Sequence, residues 1–258
     1  MKYAVLCLML ITIFLTSAAF ASPTTSGLDW AFFKNYMSPA WVWGENGLIT
    51  IPIADTLGQG HVALSMTGID AGKLQGEPMA FSTVSLQVGT STDVELGYTK
   101  KFLLYKWLRT DIEGETFHMK VKLLDLSELN AFTPKLSLGT IAFALTNKDN
   151  YSTKDMFFNI FAVASQNIAV GRLHLGYEFG MVGQATSTGF FFLGADVPIG
   201  PVSIVGEYVG SDVEGKGGVT NAGICYKPFG KTFAISAAAA NLGQSSGNRY
   251  MLQTSVLF

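Results

Sequence analysis

Histidines and carboxylates are the side chains of this sequence that could support catalysis or bind a metal. The three histidines, His61, His118 and His174, lie far apart in the chain. A hydrolase would need a serine and a polar orienting group beside one of them, and none has a serine two residues away on the same strand face. No two histidines have the spacing of metal ligands. The sequence therefore predicts a non-enzymatic protein without a cofactor or metal, and a hydrolase with His118 or His174 as base is the less favoured alternative.

The segments that carry these residues alternate between apolar and polar side chains, which is the pattern of β-strands. Around His118, for example, Phe117, Met119 and Val121 alternate with His118 and Lys120. We predict twelve strands of about 10 residues, the length that a tilted strand needs to cross a bilayer. They lie near 61–70, 79–89, 92–103, 115–126, 135–146, 155–165, 168–180, 188–197, 201–210, 218–227, 231–240 and 248–258. The connections near 70–79, 103–115, 146–155, 180–188, 210–218 and 240–248 are predicted to be long loops. The alternate connections are predicted to be short turns, except for the connection from Ser127 to Pro134.

Two predicted strands depart from regular alternation. In 135–146 the apolar phase changes between Leu138 and Ile141, which predicts a β-bulge near Gly139. In 188–197 three consecutive phenylalanines, residues 190–192, interrupt the pattern, and we interpret them as part of an aromatic girdle at a membrane interface. Candidates for the interfacial belts are Tyr98, Tyr105, Trp107, Tyr177, Tyr208, Tyr226 and Tyr250.

The last ten residues, Arg249 to Phe258, form a terminal strand with one apolar face. Successive side chains of a strand alternate, so Tyr250, Leu252, Val256 and Phe258 share that face. An apolar terminal strand that ends in Phe resembles the C-terminal signal recognised by the barrel-assembly machinery of Gram-negative bacteria. This resemblance implies an outer-membrane β-barrel, with that machinery and outer-membrane lipids as partners and with the C-terminus in the periplasm.

The N-terminal part of the chain differs from the repetitive strands. Residues 1–21 have a basic start at Lys2, an apolar run and the small-x-small pattern Ala19-Phe20-Ala21, which predicts a cleaved signal peptide. Residues 22–46 form an aromatic-rich extension, either a flexible leader at the membrane interface or a lumen plug or periplasmic contact helix. Residues 47–258 are the predicted barrel. Loss of the signal peptide removes Cys7 and leaves Cys225 alone, so no intrachain disulfide is expected.

Composition restricts the protein class. With 17 basic and 19 acidic residues the net charge is -2, and no basic stripe predicts binding to nucleic acid. A soluble sandwich or lipocalin-like fold is the competing architecture. The membrane barrel is favoured because most strands carry charge on one face, which a soluble core could not accept. Closure also removes exposed strand edges.

If the apolar faces contact lipid, the alternate faces line a lumen. Its predicted lining is Glu95, Lys101, His118, Lys120, Lys122, Arg172, His174, Glu178, Glu207, Asn221, Arg249 and Gln253, and Cys225 is predicted to be a small lumen-facing filler. Five of these side chains are Lys or Arg and three are Glu, which suits a hydrated pore that mildly prefers anionic or polyhydroxylated solutes. A closed lumen, in which the charges pair and brace the wall, is the alternative.

Residues 47–60 combine a short apolar run with turn residues. We predict a short strand that ends near Pro52, followed by a turn at Gly58 and Gly60. The segment is similar to the N-terminal motif of YjbH-like outer-membrane proteins, with matches at Gly47, Leu48, Pro52, Ala54 and the Gly60 turn. The resemblance implies a role in exopolysaccharide production and export, with polysaccharide or export partners. The sequence as a whole predicts an exported, monomeric outer-membrane barrel with a transport or envelope-support role.

Overall fold

The structure, a computed structural model, describes most of the predicted barrel. The described residues are 47–74, 77–105, 108–126, 133–147, 154–182, 186–210, 218–230, 232–240, 242 and 249–258. The predicted signal peptide, residues 1–21, and the aromatic extension, residues 22–46, lie outside this part of the chain.

Twelve antiparallel strands form one closed barrel in which sequence neighbours pair and the last strand pairs with the first. This confirms the predicted all-β, up-and-down architecture. The strands are β1 (Val62–Leu74), β2 (Glu77–Gly89), β3 (Val94–Tyr105), β4 (Leu108–Asp125), β5 (Lys135–Asn147), β6 (Lys154–Ile168), β7 (Gly171–Val182), β8 (Thr186–Ile199), β9 (Val202–Val209), β10 (Val219–Tyr226), β11 (Phe233–Ala240) and β12 (Arg249–Leu257). Among the described residues, no helix is long and apolar enough to cross a membrane.

The two ends of the barrel differ in their connections. At one end most strands are joined by short turns, with the β4–β5 connection, residues 126–134, as the longer exception. Gly60, Gly200 and Gly230 at this end adopt positive φ angles that favour glycine. Val62 and Phe258 meet at this end, where each backbone amide donates to the other's carbonyl. We call it the short-turn rim. At the other end β1–β2 and β3–β4 stay paired as far as Leu74↔Glu77 and Tyr105↔Leu108, so the long loops predicted at 70–79 and 103–115 are mostly strand.

The outer surface of the barrel is apolar, as a lipid-facing wall requires. Leu175, Leu193, Ile204 and Ile224 are among the large aliphatic side chains exposed there. The terminal strand follows the predicted alternation: Tyr250, Leu252 and Phe258 are exposed, whereas Met251, Gln253 and Ser255 are buried. Of the predicted belt residues, Tyr177 and Tyr226 are exposed on the outside, and Trp107 lies outside the described residues.

The interior of the barrel is not uniformly polar, and this corrects two predictions. Ile141 and Phe143 point inward beside Ser137 and Gly139, and the pairing of β5 with β4 is regular at Gly139. The predicted bulge there is wrong, because the apolar phase change reflects apolar residues inside the lumen. Nearby register shifts instead lie between Phe102 and Leu104 in β3 and between Lys122 and Leu124 in β4.

The three phenylalanines of β8 are divided between the two faces. Phe191 is exposed on the outer wall, whereas Phe192 is fully buried and Phe190 packs against the interior apolar cluster. The girdle prediction is therefore wrong for Phe190 and Phe192. Glycines on neighbouring strands make room for the inward rings: a Cβ on Gly176 would lie 2.1 Å from Phe192 Cζ, and one on Gly139 would lie 2.2 Å from Phe161 Cζ.

Candidate functional site: a strap across the lumen

Residues 47–58, which we call the lumen strap, lie inside the barrel before the chain enters β1. Leu48, Ile53 and Ala54 have no exposed surface, and Ile51 is 2% exposed. The strap contains no strand: its only described ladder contact is an isolated bridge between Gly47 and Pro52. The predicted strand at this position is wrong, because side chains of the barrel wall bind the main-chain groups that a strand would pair with a neighbour.

Glu207 on β9 anchors the first part of the strap. Its carboxylate accepts the backbone amide of Ile49 at 3.0 Å and that of Thr50 at 2.9 Å, and it also accepts the Thr50 hydroxyl. Asn221 on β10 donates to the same carboxylate at 2.7 Å. Glu207 is 4% exposed, and a buried carboxylate needs such donors because its desolvation is costly.

Three wall residues hold the middle of the strap. The Lys120 ammonium donates to the Ile53 carbonyl at 3.2 Å. The Ser137 hydroxyl donates to the Ala54 carbonyl at 2.5 Å, and the Ala54 amide donates to Ser165 Oγ at 2.7 Å. Polar groups from β4, β5 and β6 thus replace the hydrogen bonds that these main-chain atoms would make to water.

Glu95 on β3 anchors the last part of the strap. One carboxylate oxygen accepts the Leu57 amide at 2.9 Å. The other accepts Nε2–H of His118 at 3.2 Å and lies 3.7 Å from the Lys120 ammonium. These side chains have no exposed surface, so they form a compact charged group that fixes where the strap turns toward the short-turn rim.

The side chain of Asp55 makes two ion pairs near that rim. Its carboxylate lies 2.6 Å from Lys135 Nζ and 3.0 Å from Arg172 Nη1. Arg172 also binds Asp196 on β8, with Nε 2.9 Å from Oδ1. Asp55, Lys135 and Arg172 keep 22 to 23% of their side-chain surface exposed, so these pairs are in contact with solvent, unlike the Glu207 anchor.

Ser165, His174 and Asp196 form a hydrogen-bonded chain beside the strap. Ser165 Oγ lies 2.8 Å from His174 Nδ1, and His174 Nε2 lies 2.9 Å from Asp196 Oδ1. A carboxylate can only accept, so Nε2 carries a proton, and in a ring protonated there alone Nδ1 accepts the Ser165 hydroxyl. The residue types are those of a hydrolase triad, but Ser165 Oγ also accepts the Ala54 amide. In this structure the chain of hydrogen bonds serves to hold the strap.

The other predicted lumen residues are distributed along the length of the barrel wall. Lys101 is 3% exposed on the inner face of β3, and Glu178 on β7 accepts a hydrogen bond from Asn159. Lys122 lies at the short-turn rim, paired with Asp93 and Asp125. Arg249 begins β12, at the end of the barrel away from the short-turn rim, and Gln253 Nε2 donates to Thr67 at 3.0 Å. Cys225 is buried and has no disulfide.

The lumen wall has two chemically different sides. The wall from β11 through β12 and β1 to β4 carries eight buried hydroxyls among apolar, amide and charged side chains: Ser236, Ser255, Ser65, Thr67, Thr83, Ser85, Thr99 and Thr116. The wall of β5, β6 and β8 presents apolar and aromatic side chains that pack with the strap, namely Ile141, Phe143, Phe161, Val163 and Phe192. In the part of the chain that the structure describes, no group of three or more potential metal-ligating side chains is found.

Comparison with known structures places this fold among outer-membrane proteins. The KdgM porin matches with a TM-score of 0.57 at 11% identity, over 76% of this chain and 99% of that chain. The fold is that of an outer-membrane β-barrel. The KdgM porin in complex with disordered oligogalacturonate matches with a TM-score of 0.53 at 11% identity, over 77% of this chain and 99% of that one. At such identities the likeness shows the fold alone.

Sequence comparisons add no family. No protein-family model matches the chain, and no curated protein matches it. The similarity to YjbH-like proteins therefore still depends on the short motif at residues 47–60, which is the segment that forms the lumen strap.

Proposed function

We propose that the protein is an outer-membrane transport barrel whose lumen is held closed at rest by its own strap. The observation that supports this most is the binding of Ile49 and Thr50 by Glu207 inside the barrel. A barrel with a purely mechanical role would not need buried charged side chains that bind one segment of main chain, since apolar side chains would fill it at lower cost.

The strength of these contacts favours a gated barrel over a constitutively open pore. Hydrogen bonds to charged groups contribute about 1.5 to 3 kcal/mol each, and the strap has such bonds to Glu207, Lys120 and Glu95. Removal of the strap would also leave buried carboxylates without their donors. The closed state is therefore the dominant one without a stimulus.

The two sides of the lumen wall suit a polyhydroxylated solute. Sugar hydroxyls can exchange hydrogen bonds with the Ser and Thr wall, and apolar sugar faces can pack on Phe143 and Phe161. The structural match to a porin solved with oligogalacturonate is compatible with this class, although that binding belongs to the other protein. Within this solute class, the resemblance of residues 47–60 to the YjbH-like motif implies export of an exopolysaccharide.

A closed structural or partner-binding barrel is the second candidate. It is favoured by the apolar cluster that joins Leu48, Ile49, Ile51 and Ile53 of the strap to the wall of β5, β6 and β8. Such packing resembles a permanent core, and a barrel with a permanent core would serve as a membrane anchor or a docking platform.

Single-channel recording of the full-length protein in planar bilayers separates the two candidates. For the transport barrel we expect almost no conductance from the wild type and frequent openings from a Glu207→Gln variant. Solute uptake into liposomes should then favour neutral oligosaccharides over oligopeptides of similar size. A folded Glu207→Gln variant that stays silent would support the closed barrel, and a wild type that conducts steadily would show that the strap does not close the lumen.

The exopolysaccharide version has its own test. Deletion of the gene should lower the amount of polysaccharide outside the cell and raise the amount in the periplasm, and the Glu207→Gln variant should restore export. Unchanged polysaccharide in both compartments would remove this version without affecting the channel result.

A further inference from the structure

Between its buried anchors at Glu207 and Glu95, the lumen strap is also held by contacts of a different physical kind. At Ile49 and Thr50 it is held by Glu207, which is 4% exposed and is bound by neutral amide and hydroxyl donors. At Asp55 it is held by ion pairs to Lys135 and Arg172, whose side chains keep 23% of their surface exposed. Only the second set of contacts is in reach of dissolved ions.

We propose that the ion pairs of Asp55 with Lys135 and Arg172, here called the Asp55 latch, are a salt-sensitive release point for the strap. The latch opens first, from the short-turn rim, while the Glu207 anchor still holds the strap inside the lumen. This inference rests on the proposed function for its consequence, which is a partly released state that precedes permeation.

Screening supports this order of release. Partly exposed ion pairs weaken as ionic strength rises, because the Debye length falls from about 10 Å at 0.1 M to about 3 Å at 1 M. Buried hydrogen bonds between a carboxylate and amides are screened much less. Added salt therefore weakens the hold on Asp55 and leaves the hold on Thr50 nearly unchanged.

A closed ring of contacts links the latch to the neighbouring main chain. Asp55 binds Arg172, which binds Asp196, and Asp196 accepts a hydrogen bond from His174. His174 in turn accepts the hydroxyl of Ser165, whose oxygen accepts the Ala54 amide. Release of Asp55 leaves the hydrogen bonds of Arg172 to Asp196 in place but frees the main chain next to Ala54. We therefore expect the amide of Ala54 to lose protection together with the latch.

Amide hydrogen exchange of the full-length protein in detergent micelles reports on the two sets of contacts separately. In an Asp55→Asn variant we expect the Ala54 amide to exchange about tenfold faster at low salt, since two partly exposed pairs together contribute roughly this factor. The Ile49 and Thr50 amides should keep their wild-type rates. In the wild type, an increase from 0.1 to 1 M salt should make exchange of the Ala54 amide faster by a similar factor. In the Asp55→Asn variant, the exchange rate of this amide should not depend on salt.

Glu115→Gln is the matched control. Glu115 on β4 pairs with Lys100 on β3 at 3.1 Å, with side-chain exposures of 38% and 32%, so this ion pair is also partly exposed. The two side chains alternate with the buried Thr99 and Thr116 and so face outward, away from the strap, and exchange at Ala54 should be unchanged. If the Asp55 and Glu115 variants behave alike, or if exchange of all strap amides becomes faster together, the latch does not exist as a separate release point.

Conductance distinguishes a failed latch from a failed function. Faster Ala54 exchange in Asp55→Asn together with channel openings in Glu207→Gln supports both proposals. Faster exchange in Asp55→Asn together with a silent, folded Glu207→Gln supports the latch and rejects transport. Unchanged Ala54 exchange rejects the latch, whatever the conductance of Glu207→Gln shows about transport.

Discussion

Thr50 is bound to Glu207 through both its backbone amide and its hydroxyl, although 157 positions separate the two residues in sequence. The contact joins the segment before the first strand to the ninth strand of the barrel. Because the carboxylate is buried, water cannot replace the hydrogen bonds that would be lost if Thr50 and Glu207 separated. The strap is therefore an integral part of the folded barrel.

Glu207→Gln should weaken this contact without a change in side-chain size. The new amide group presents N–H donors to the donors of Ile49 and Thr50, so we expect a loss of about 2 to 4 kcal/mol in the free energy of unfolding. Urea titration of the protein in micelles measures it. Thr220→Ala, an exposed position on neighbouring β10, is the control. Equal stability of the Glu207 variant and the wild type would contradict a structural role for the anchor.

Gly139→Ala should disturb the apolar side of the lumen. The added methyl would lie 2.2 Å from the Phe161 ring and 2.8 Å from the Met119 carbonyl oxygen, so the ring must move, at a cost of about 1 to 3 kcal/mol. Gly68→Ala on β1 places its methyl in open space and should have almost no effect. Thermal denaturation compares the two, and similar melting temperatures would show that Phe161 does not pack as described.

Serine-directed fluorophosphonates test whether Ser165 is a nucleophile. Its hydroxyl donates to His174 and its oxygen accepts the Ala54 amide beneath the strap, so we expect no labelling of the wild type. Ser165→Ala should instead accelerate exchange of the Ala54 amide. If the wild type is labelled and the Ser165→Ala variant is not, Ser165 is a nucleophile, and the hydrolase alternative from the sequence analysis is supported.

Phe258→Ala should impair assembly of the barrel in cells. Phe258 is 71% exposed at the end of the terminal strand, and the substitution keeps both backbone hydrogen bonds to Val62, so it costs little packing and a strong defect reflects recognition during assembly. Phe229→Ala, at a residue 73% exposed in the β10–β11 turn, is the matched control. The amount of folded, heat-modifiable protein in the membrane fraction is the measurement, and normal insertion without Phe258 would contradict the assembly signal.

The barrel could be predicted from the sequence because strand alternation is local. In β12, for example, the exposed Tyr250 and Leu252 alternate with the buried Met251 and Gln253. The two-residue period of side chains along a strand predicts this alternation directly. The apolar interior could not be predicted in this way, because alternation does not tell which face of a strand points outward. The bulge expected at Gly139 was wrong for this reason: Ile141 and Phe143 are apolar and yet face inward.

The site residues were harder to predict because their partners come from distant segments. Glu95 and Glu207 were predicted to be lumen residues, but no pattern in the sequence indicates that they bind backbone amides of residues 49–57. Ser165 was missed, although the short β6–β7 turn sets the register that places it opposite His174. Hairpin pairing across short turns is the signal that would have found it.

The strap also constrains the order in which this chain can fold. Its contacts with β6, β7 and β9 span 111, 117 and 158 residues, and such non-local contacts form late because loop closure must come first. Yet once β12 has joined β1, a segment left outside would have to thread into a closed cylinder. We therefore expect the strap to lie between the strands when the seam closes, so that barrel closure and strap binding form one cooperative folding step.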